Sequence, residues 1–435
     1  MVWLSGRARL LARLHLCQYE EWQKGKPLKV LLVGYNGARN TGADARVVAL
    51  VRQLDEMLGA DNIEMTVMTL DKESVRGYFP DHVRQWKFTT LFFWSLLRAC
   101  SSHHVAILCE GSTLTTTFAK ALSVFYCQAA GIMRRQGKPC IAYGSEVGHL
   151  EGWLAKLSHD MCQDTYFIVR TEESLQNLKA LGLKGHVGTD TAWPFKTPEG
   201  EEWARKQLMK DGWDGVRPLM GVAVINPFWW PVCPSLVRWA KAVLTGNHEG
   251  QYDKMYFFND TDEHRQKFRR YLSEMAQAVN RYQQEHDAFV VILGMEKLDE
   301  EACQLFEQMV KGPHHVYHSK NHNVFQMTGL LRQLSILVTS RYHAAVLSMV
   351  RAIPLVAVSM DGRLDGVIRE TELADRYLHH VDDTALGERI TSSLRHADGH
   401  REEIAGTIHR HQTIYEHKVY EMSQFFASWL NRHFS

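Results

Sequence analysis

The stretch KVLLVGYNGARNTGADARVVALVRQLDEML, residues 29–58, decides the fold. It opens on a β-rich apolar run, KVLLVGY (29–35), passes through a glycine-punctuated turn, and continues as a helix-length mixture of apolar and polar residues, DARVVALVRQLDEML (44–58). Strand, tight turn and helix in that order form the repeating unit of parallel α/β architecture. Outward from it the pattern recurs. EMTVMTL (64–70), HVAILCE (104–110), PCIAYGS (139–145) and TYFIVR (165–170) are further strands, with helix-length segments between them. Together they predict one doubly wound domain.

The pattern breaks at TAWPFKTPEGEEW (191–203), where two prolines and a glycine interrupt it. Beyond the break LMGVAVI (219–225), KMYFFND (254–260), AFVVILG (288–294), HHVYHS (314–319), SILVTS (335–340) and PLVAVSM (354–360) repeat the architecture. The expected fold is α/β, with two Rossmann-like domains facing a cleft (GT-B-like) and a C-terminal helix. The expected divisions are an N-terminal helical extension over 1–28, domains over 29–195 and 210–382, and a helical segment over 383–435 that crosses back to the front domain. FTTLFFWSLLRAC (88–100) reads as a core helix, since it is short of the ~20 residues a membrane span needs and Arg98 interrupts it.

Composition narrows the function classes. The 435 residues, 45% hydrophobic and 23% charged, suit a soluble protein with two cores. Fifty basic against forty-nine acidic side chains leave a formal charge of +1, so no global field draws nucleic acid, and any anion must be caught locally. Eight cysteines without a C-x-x-C pair read as reduced, buried thiols of a cytoplasmic protein. The opening MVWLSGRARLLARLHLCQYEEWQKGK (1–26) lacks a continuous apolar run and a small-residue cleavage site, so a secretory leader is not expected. Two readings of it stay open: a helix packed on the first domain, or a segment in peripheral contact with the inner face of a membrane, with Arg7, Arg9 and Arg13 beside Trp3, Leu11 and Leu14.

In open α/β sheets ligands bind beyond the carboxyl ends of strands, so the strand-to-helix junctions carry the functional reading. In GYNGARNTGAD (34–44), Gly34, Gly37 and Gly42 permit close backbone approach, but the spacing is neither G-x-G-x-x-G nor a P-loop. In CEGSTLT (109–115), Gly111 and Ser112 offer an amide and a hydroxyl at a helix start, while Glu110 brings either a ligand-facing carboxylate or a salt bridge. In ILVTSRYHAAVLSMV (336–350), Ser340 suits the N-cap and places Arg341, Tyr342 and His343 in the first turn. Free amides and the positive helix end there attract an anion, arginine supplies a bidentate fork, and the dipole favours a neutral imidazole able to accept a proton. INPFWWPV (225–232) sets Trp229 and Trp230 either to stack on a sugar ring or to pack a wall. His314, His315, His318 and His322 match no zinc spacing, and no metal is expected.

The three junctions, in this order, resemble the polysaccharide pyruvyl transferase family. GYNGARNTGAD is similar to the family's N-x-G-D loop with an extra alanine, so that Asn40, Gly42 and Asp44 stand for it. EGSTLTTTFAKALSVFYCQAAGIMRRQGKPCIAYGSEVGHL (110–150) resembles the stretch ending in G-K-P-x-x-x-x-G-x-x-x-G. VRTEESLQNLKALGL (169–183) resembles R-x-x-x-S-x-x-x-L-x-x-L-G, which singles out Arg170 and Ser174, with Asp190 as the acidic position beyond. SRYHAAVLSMVRAIPLVAVSMDGRLDGVI (340–368) resembles S-R-x-H-A followed by G-x-P-x-x-x-x-x-Y-D-x-K. Glu110 replaces a glycine of the family pattern, Ile353 the glycine before proline, and Met360 and Arg363 its tyrosine and lysine.

The resemblance implies transfer of a pyruvyl group from phosphoenolpyruvate to two hydroxyls of a sugar in a cell-surface polysaccharide or its precursor, free or lipid-linked, with no cofactor. It implies His343 and Arg341 as catalytic residues, Ser340, Arg170, Arg363, Gly111 and Ser112 on the donor, and Asn40, Gly42, Asp44, Glu110, Trp229 and Trp230 on the acceptor. The alternatives are a GT-B-type glycosyltransferase using a sugar nucleotide, and a catalytically silent carbohydrate-binding relative.

Overall fold

The computed structural model describes residues 18–88, 92–247, 250–253 and 255–434. The sequence expectation for residues 1–17 lies outside them. Residues 18–27 form turns and irregular chain. The chain divides into two compact units, one built from residues up to Lys196 together with those from Tyr415 onward, the other from Thr197–Ile414.

Unit one holds a seven-stranded parallel sheet in the order β3-β2-β1-β4-β5-β6-β7. Its strands are β1 (Leu28–Asn36), β2 (Ile63–Thr69), β3 (Arg84–Lys87), β4 (Val105–Leu108), β5 (Cys140–Ser145), β6 (Thr165–Val169) and β7 (Lys184–Val187). Alternate side chains point to opposite faces of a strand, and both faces here are covered, so the central strands must be apolar throughout. Leu31, Val33, Ala106 and Leu108 pack on one side with helices Phe93–Ser101 and Lys120–Arg135. Val30, Leu32, Val67 and Ile107 pack on the other with helix Thr41–Leu58 and with Met422, Phe426, Trp429 and Leu430 of the last helix, Arg401–Phe434.

Unit two holds a six-stranded parallel sheet in the order β13-β12-β8-β14-β15-β16. Its strands are β8 (Leu219–Ala223), β12 (Phe289–Gly294), β13 (His314–His318), β14 (Ile336–Thr339), β15 (Leu355–Ser359) and β16 (Leu378–His380). The expected strand over 254–260 does not join this sheet. Its described part supplies β11 (Tyr256–Phe257), which pairs antiparallel with β9 (Cys233–Pro234) and β10 (Gln251–Asp253) in a small ribbon beside helix Leu236–Thr245.

Counted within each unit, both sheets start in the middle, build outward one way for two strands, then return to the other side of the first strand. This is the doubly wound order, and its switch point lies between the first and fourth strands. In unit one that is the carboxyl end of β1 and β4; in unit two, of β8 and β14. The sequence-predicted junctions at 34–44, 109–115 and 340–343 all fall at these two places.

Candidate functional site

At the switch point of unit one the loop after β1 turns on Gly37, whose φ of +81° and proximity to Thr69 Oγ1 and the Asp71 backbone leave no room for a side chain. Asn40 then caps helix Thr41–Leu58, its Oδ1 accepting from the Gly42 and Ala43 amides at 3.1 Å each. Gly42 lies buried in the first turn. Asp44 is buried beside it, and burial pushes its carboxyl up to about 7 against the opposing pull of the Gly37 amide and the Tyr78 hydroxyl. Asn40, Gly42 and Asp44 were expected to face an acceptor. Asn40 and Asp44 hold the turn and the helix start together, because a polar side chain buried at a helix N-terminus bonds the nearest unsatisfied amides.

Two guanidinium groups sit under this turn. Arg46, fully buried, donates to the Gly144 carbonyl at 2.6 Å and lies 3.2 Å from Asp190 Oδ1 and 3.7 Å from Glu110 Oε1. Arg170 forks across Asp190 Oδ2 and Glu146 Oε2, both at 2.8 Å. Gly111 passes between them, so close that an added Cβ would stand 2.7 Å from Arg46 Nη1. Three carboxylates therefore face two guanidinia. Arg170 was expected to meet donor charge, yet its fork is engaged by Asp190 and Glu146, since a buried guanidinium persists only with paired anions. Glu110 takes the salt-bridge alternative and also accepts from the Tyr35 and Gly111 amides at 3.2 and 2.7 Å. The Gly111 amide is thus committed, and no helix begins there: the chain runs irregularly past the buried Ser112 to the helix that starts at Lys120.

The switch point of unit two is built on the end of β14. The helix begins at Tyr342, one residue later than expected, with Arg341 in the N-cap position and its amide held by Thr339 Oγ1 at 2.9 Å. Ser340 is not the cap. It is buried, and its hydroxyl shares a 2.7 Å bond with Tyr271. Arg341 Nε donates to Asp299 Oδ2 at 2.9 Å, Nη1 to Glu296 Oε2 at 3.1 Å, and Nη2 to Asp299 Oδ1. Burial opposes the guanidinium charge, but the two carboxylates outweigh it and hold Arg341 protonated well above its ordinary value. Burial likewise raises Asp299 to about 6, with Arg341 pulling the other way. Glu296 and Asp299 are themselves fixed by a reciprocal capping box around the turn Lys297–Asp299. His343 follows in the first turn, half-buried, its ring edge-on to Tyr342 at 4.9 Å.

At the next strand end Asp361 caps helix Gly362–Glu370 and clamps Arg363, whose Nη2 lies 2.6 Å from Asp361 Oδ2. Trp229 is buried and stacked on Phe258 at 4.0 Å, while Trp230 is half-buried and meets Phe258 and Tyr252 edge-on. Sequence reasoning missed Arg46, Glu146, Glu296, Asp299 and Tyr271. Only Arg46 carried a signal, a charge inside the apolar run ARVVAL. Among the described residues, no three His, Cys, Asp or Glu side chains come together as metal ligands.

Solved structures share this fold. The UDP-GlcNAc 2-epimerase from Neisseria meningitidis bound to UDP-GlcNAc is 10% identical over 91% of this chain and 100% of its own, with a TM-score of 0.53. Anabaena HepE in complex with UDP-glucose is 12% identical over 93% and 100%, with a TM-score of 0.56. A glycosyltransferase from Rickettsia africae is 9% identical over 93% and 97%, with a TM-score of 0.53. Likeness at this identity shows the fold alone, which is GT-B-like: two parallel α/β sheets with a long C-terminal helix. No curated protein matches the sequence significantly. The family profile of polysaccharide pyruvyl transferases matches residues 40–362, nearly three quarters of the chain, from the start of the first helix of unit one through the β14 junction of unit two. The chain belongs to the polysaccharide pyruvyl transferase family.

Proposed function

We propose that the protein transfers a pyruvyl group from phosphoenolpyruvate to two hydroxyls of a saccharide, with the β14 junction as the reacting end. The observation that supports this most is the family match, whose span contains Arg341 and His343 in the S-R-x-H-A block. Of five guanidinium N–H groups, Arg341 spends three on Asp299 and Glu296, which fixes the plane of the fork and leaves two for a donor carboxylate or phosphate.

The reaction needs one proton gained and two lost. As a proton goes to the C3 methylene of the enol, one acceptor hydroxyl adds to C2 and gives up its own proton. The bond from C2 to the phosphate oxygen then breaks, inorganic phosphate leaves, and the second hydroxyl closes on C2 to complete the cyclic ketal. His343, two residues beyond Arg341, is the group assigned to carry those protons, and such a role contributes about 10²–10⁴-fold. His343→Ala, shown folded by circular dichroism, should lower phosphate release from phosphoenolpyruvate by that factor in the presence of a saccharide acceptor. Undiminished release would remove the assignment. Consumption of a UDP-sugar instead of phosphoenolpyruvate would favour a glycosyltransferase, and binding without turnover a silent relative.

A further inference from the structure

Helix Leu236–Thr245, sequence LVRWAKAVLT, is built inside out. An amphipathic helix of a soluble unit normally turns its apolar stripe to the core. Here Leu236, Val237, Val243 and Leu244 are 66%, 81%, 61% and 85% exposed and Trp239 is 40% exposed, while Ala242 is the helix's one buried residue. At 100° per residue Trp239, Val243, Leu236, Ala240, Leu244 and Val237 occupy one continuous arc. All six are exposed, so the arc is an apolar face turned to solvent. Arg238 lies on the opposite face, its guanidinium 4.3 Å above the Phe257 ring and donating to the Phe258 carbonyl at 3.3 Å.

The charge on the helix itself has one sign. Its ten residues include Arg238 and Lys241 and no acid. Behind it a cavity of about 300 Å3 is lined by Arg238, Lys241, Thr245, Asp260 and Arg265. Asp260 is already taken by a two-pronged contact from Arg265, with Nε at 3.0 Å from each oxygen and Nη2 at 2.6 Å. Among the described residues neither Arg238 nor Lys241 has a carboxylate within ion-pair distance. An apolar arc flanked by Lys241, which has no carboxylate partner among the described residues, matches a surface with hydrocarbon beneath and negative groups above.

We infer that helix Leu236–Thr245 docks the protein on the surface of an anionic lipid bilayer, its apolar arc lying among the acyl chains and Lys241, at the edge of that arc, reaching the headgroup phosphates. The size of the patch favours this over a second copy of the chain. A ten-residue helix is about 15 Å long and about 10 Å wide, so it offers far less than the ~800 Å2 per partner that a stable protein interface buries. Interfacial insertion needs only one such face plus attraction to negative lipid. The inference rests on the helix's exposed apolar arc and Lys241, independently of the reaction proposed above.

The test is sedimentation of the full chain with vesicles of phosphatidylcholine containing or lacking phosphatidylglycerol, with light-scattering mass measured in parallel. The wild type should pellet with the phosphatidylglycerol vesicles and much less with the neutral ones. Leu236→Ser combined with Val237→Ser and Leu244→Ser should weaken that binding by at least about tenfold, and Lys241→Glu should abolish the preference for negative lipid. The replaced side chains are exposed, and Leu244→Asp alone serves if the triple variant fails to fold. No wild-type binding, or triple-variant or Leu244→Asp binding equal to the wild type, would overturn the proposal. So would a dimer that the serine substitutions convert to monomer without any vesicle binding, which would assign the helix to a second copy.

Discussion

Arg46 carries its charge with no exposed surface, between Ala45 and Val47 in the middle of a buried helix face. Such a charge survives because Asp190, Glu110 and the Gly144 carbonyl surround it, and removing one partner strands the others. Arg46→Ala should therefore cost about 3–5 kcal/mol, read as a lower urea midpoint. Asp44 shows the opposite economy, since burial raises its carboxyl to about 7. The folded state then keeps a proton that the unfolded chain releases near its ordinary value of 3.8, so the stability Asp44 contributes is full below that value and is lost as pH rises toward about 7. Urea titrations between pH 5 and 7 should show the wild type losing up to about 1.4 kcal/mol per pH unit relative to Asp44→Asn. A parallel pH dependence in the two proteins would mean Asp44 ionises as in water. The sequence made Arg341 and His343 visible as candidates. It could not reveal that Arg341 would meet Glu296 and Asp299, because those carboxylates come from a turn after another strand and no spacing rule links the two segments.

At the scale of elements, the strands most legible in the sequence are those buried on both faces. Val30 to Val33, Val105 to Leu108 and Val290 to Leu293 read as strands because a parallel sheet covered on both sides tolerates only such runs. The edge strands β3, β7 and β16 were missed: RQWK, KGHV and LHH are short and polar, as edges facing water tend to be. Helix boundaries at the junctions shifted for a local reason. Thr339 Oγ1 accepts from the Arg341 amide, and Ser340 turned inward to Tyr271. In unit one the last helix contributes Met422, Phe426, Trp429 and Leu430 to the sheet face, with Phe426 edge-on to Tyr143 at 5.7 Å. Phe426→Ala should accordingly lower the stability of that unit by about 3–5 kcal/mol, measurable by denaturant unfolding. A change below about 1 kcal/mol would mean the helix end contributes little to the core.

At the scale of the whole molecule, two sheets with the same winding order place their switch points at the motifs that mark the family. The charge arrangement refines the simplest picture of anion capture. Arginines 46 and 170 in unit one and 341 and 363 in unit two are each held by carboxylates, so an anionic donor would be oriented by the spare N–H groups of a fixed fork rather than drawn by excess positive charge. Geometry, more than charge, should therefore set donor affinity. The most direct test is calorimetric titration of phosphoenolpyruvate into the wild type and Arg341→Lys, with UDP as the competing ligand. Lysine keeps the charge beside Asp299 but loses the fork. The account predicts saturable binding of phosphoenolpyruvate, unaffected by UDP and weakened at least about tenfold by the substitution. Equal affinity in the two proteins, or binding of UDP with none of phosphoenolpyruvate, would contradict it.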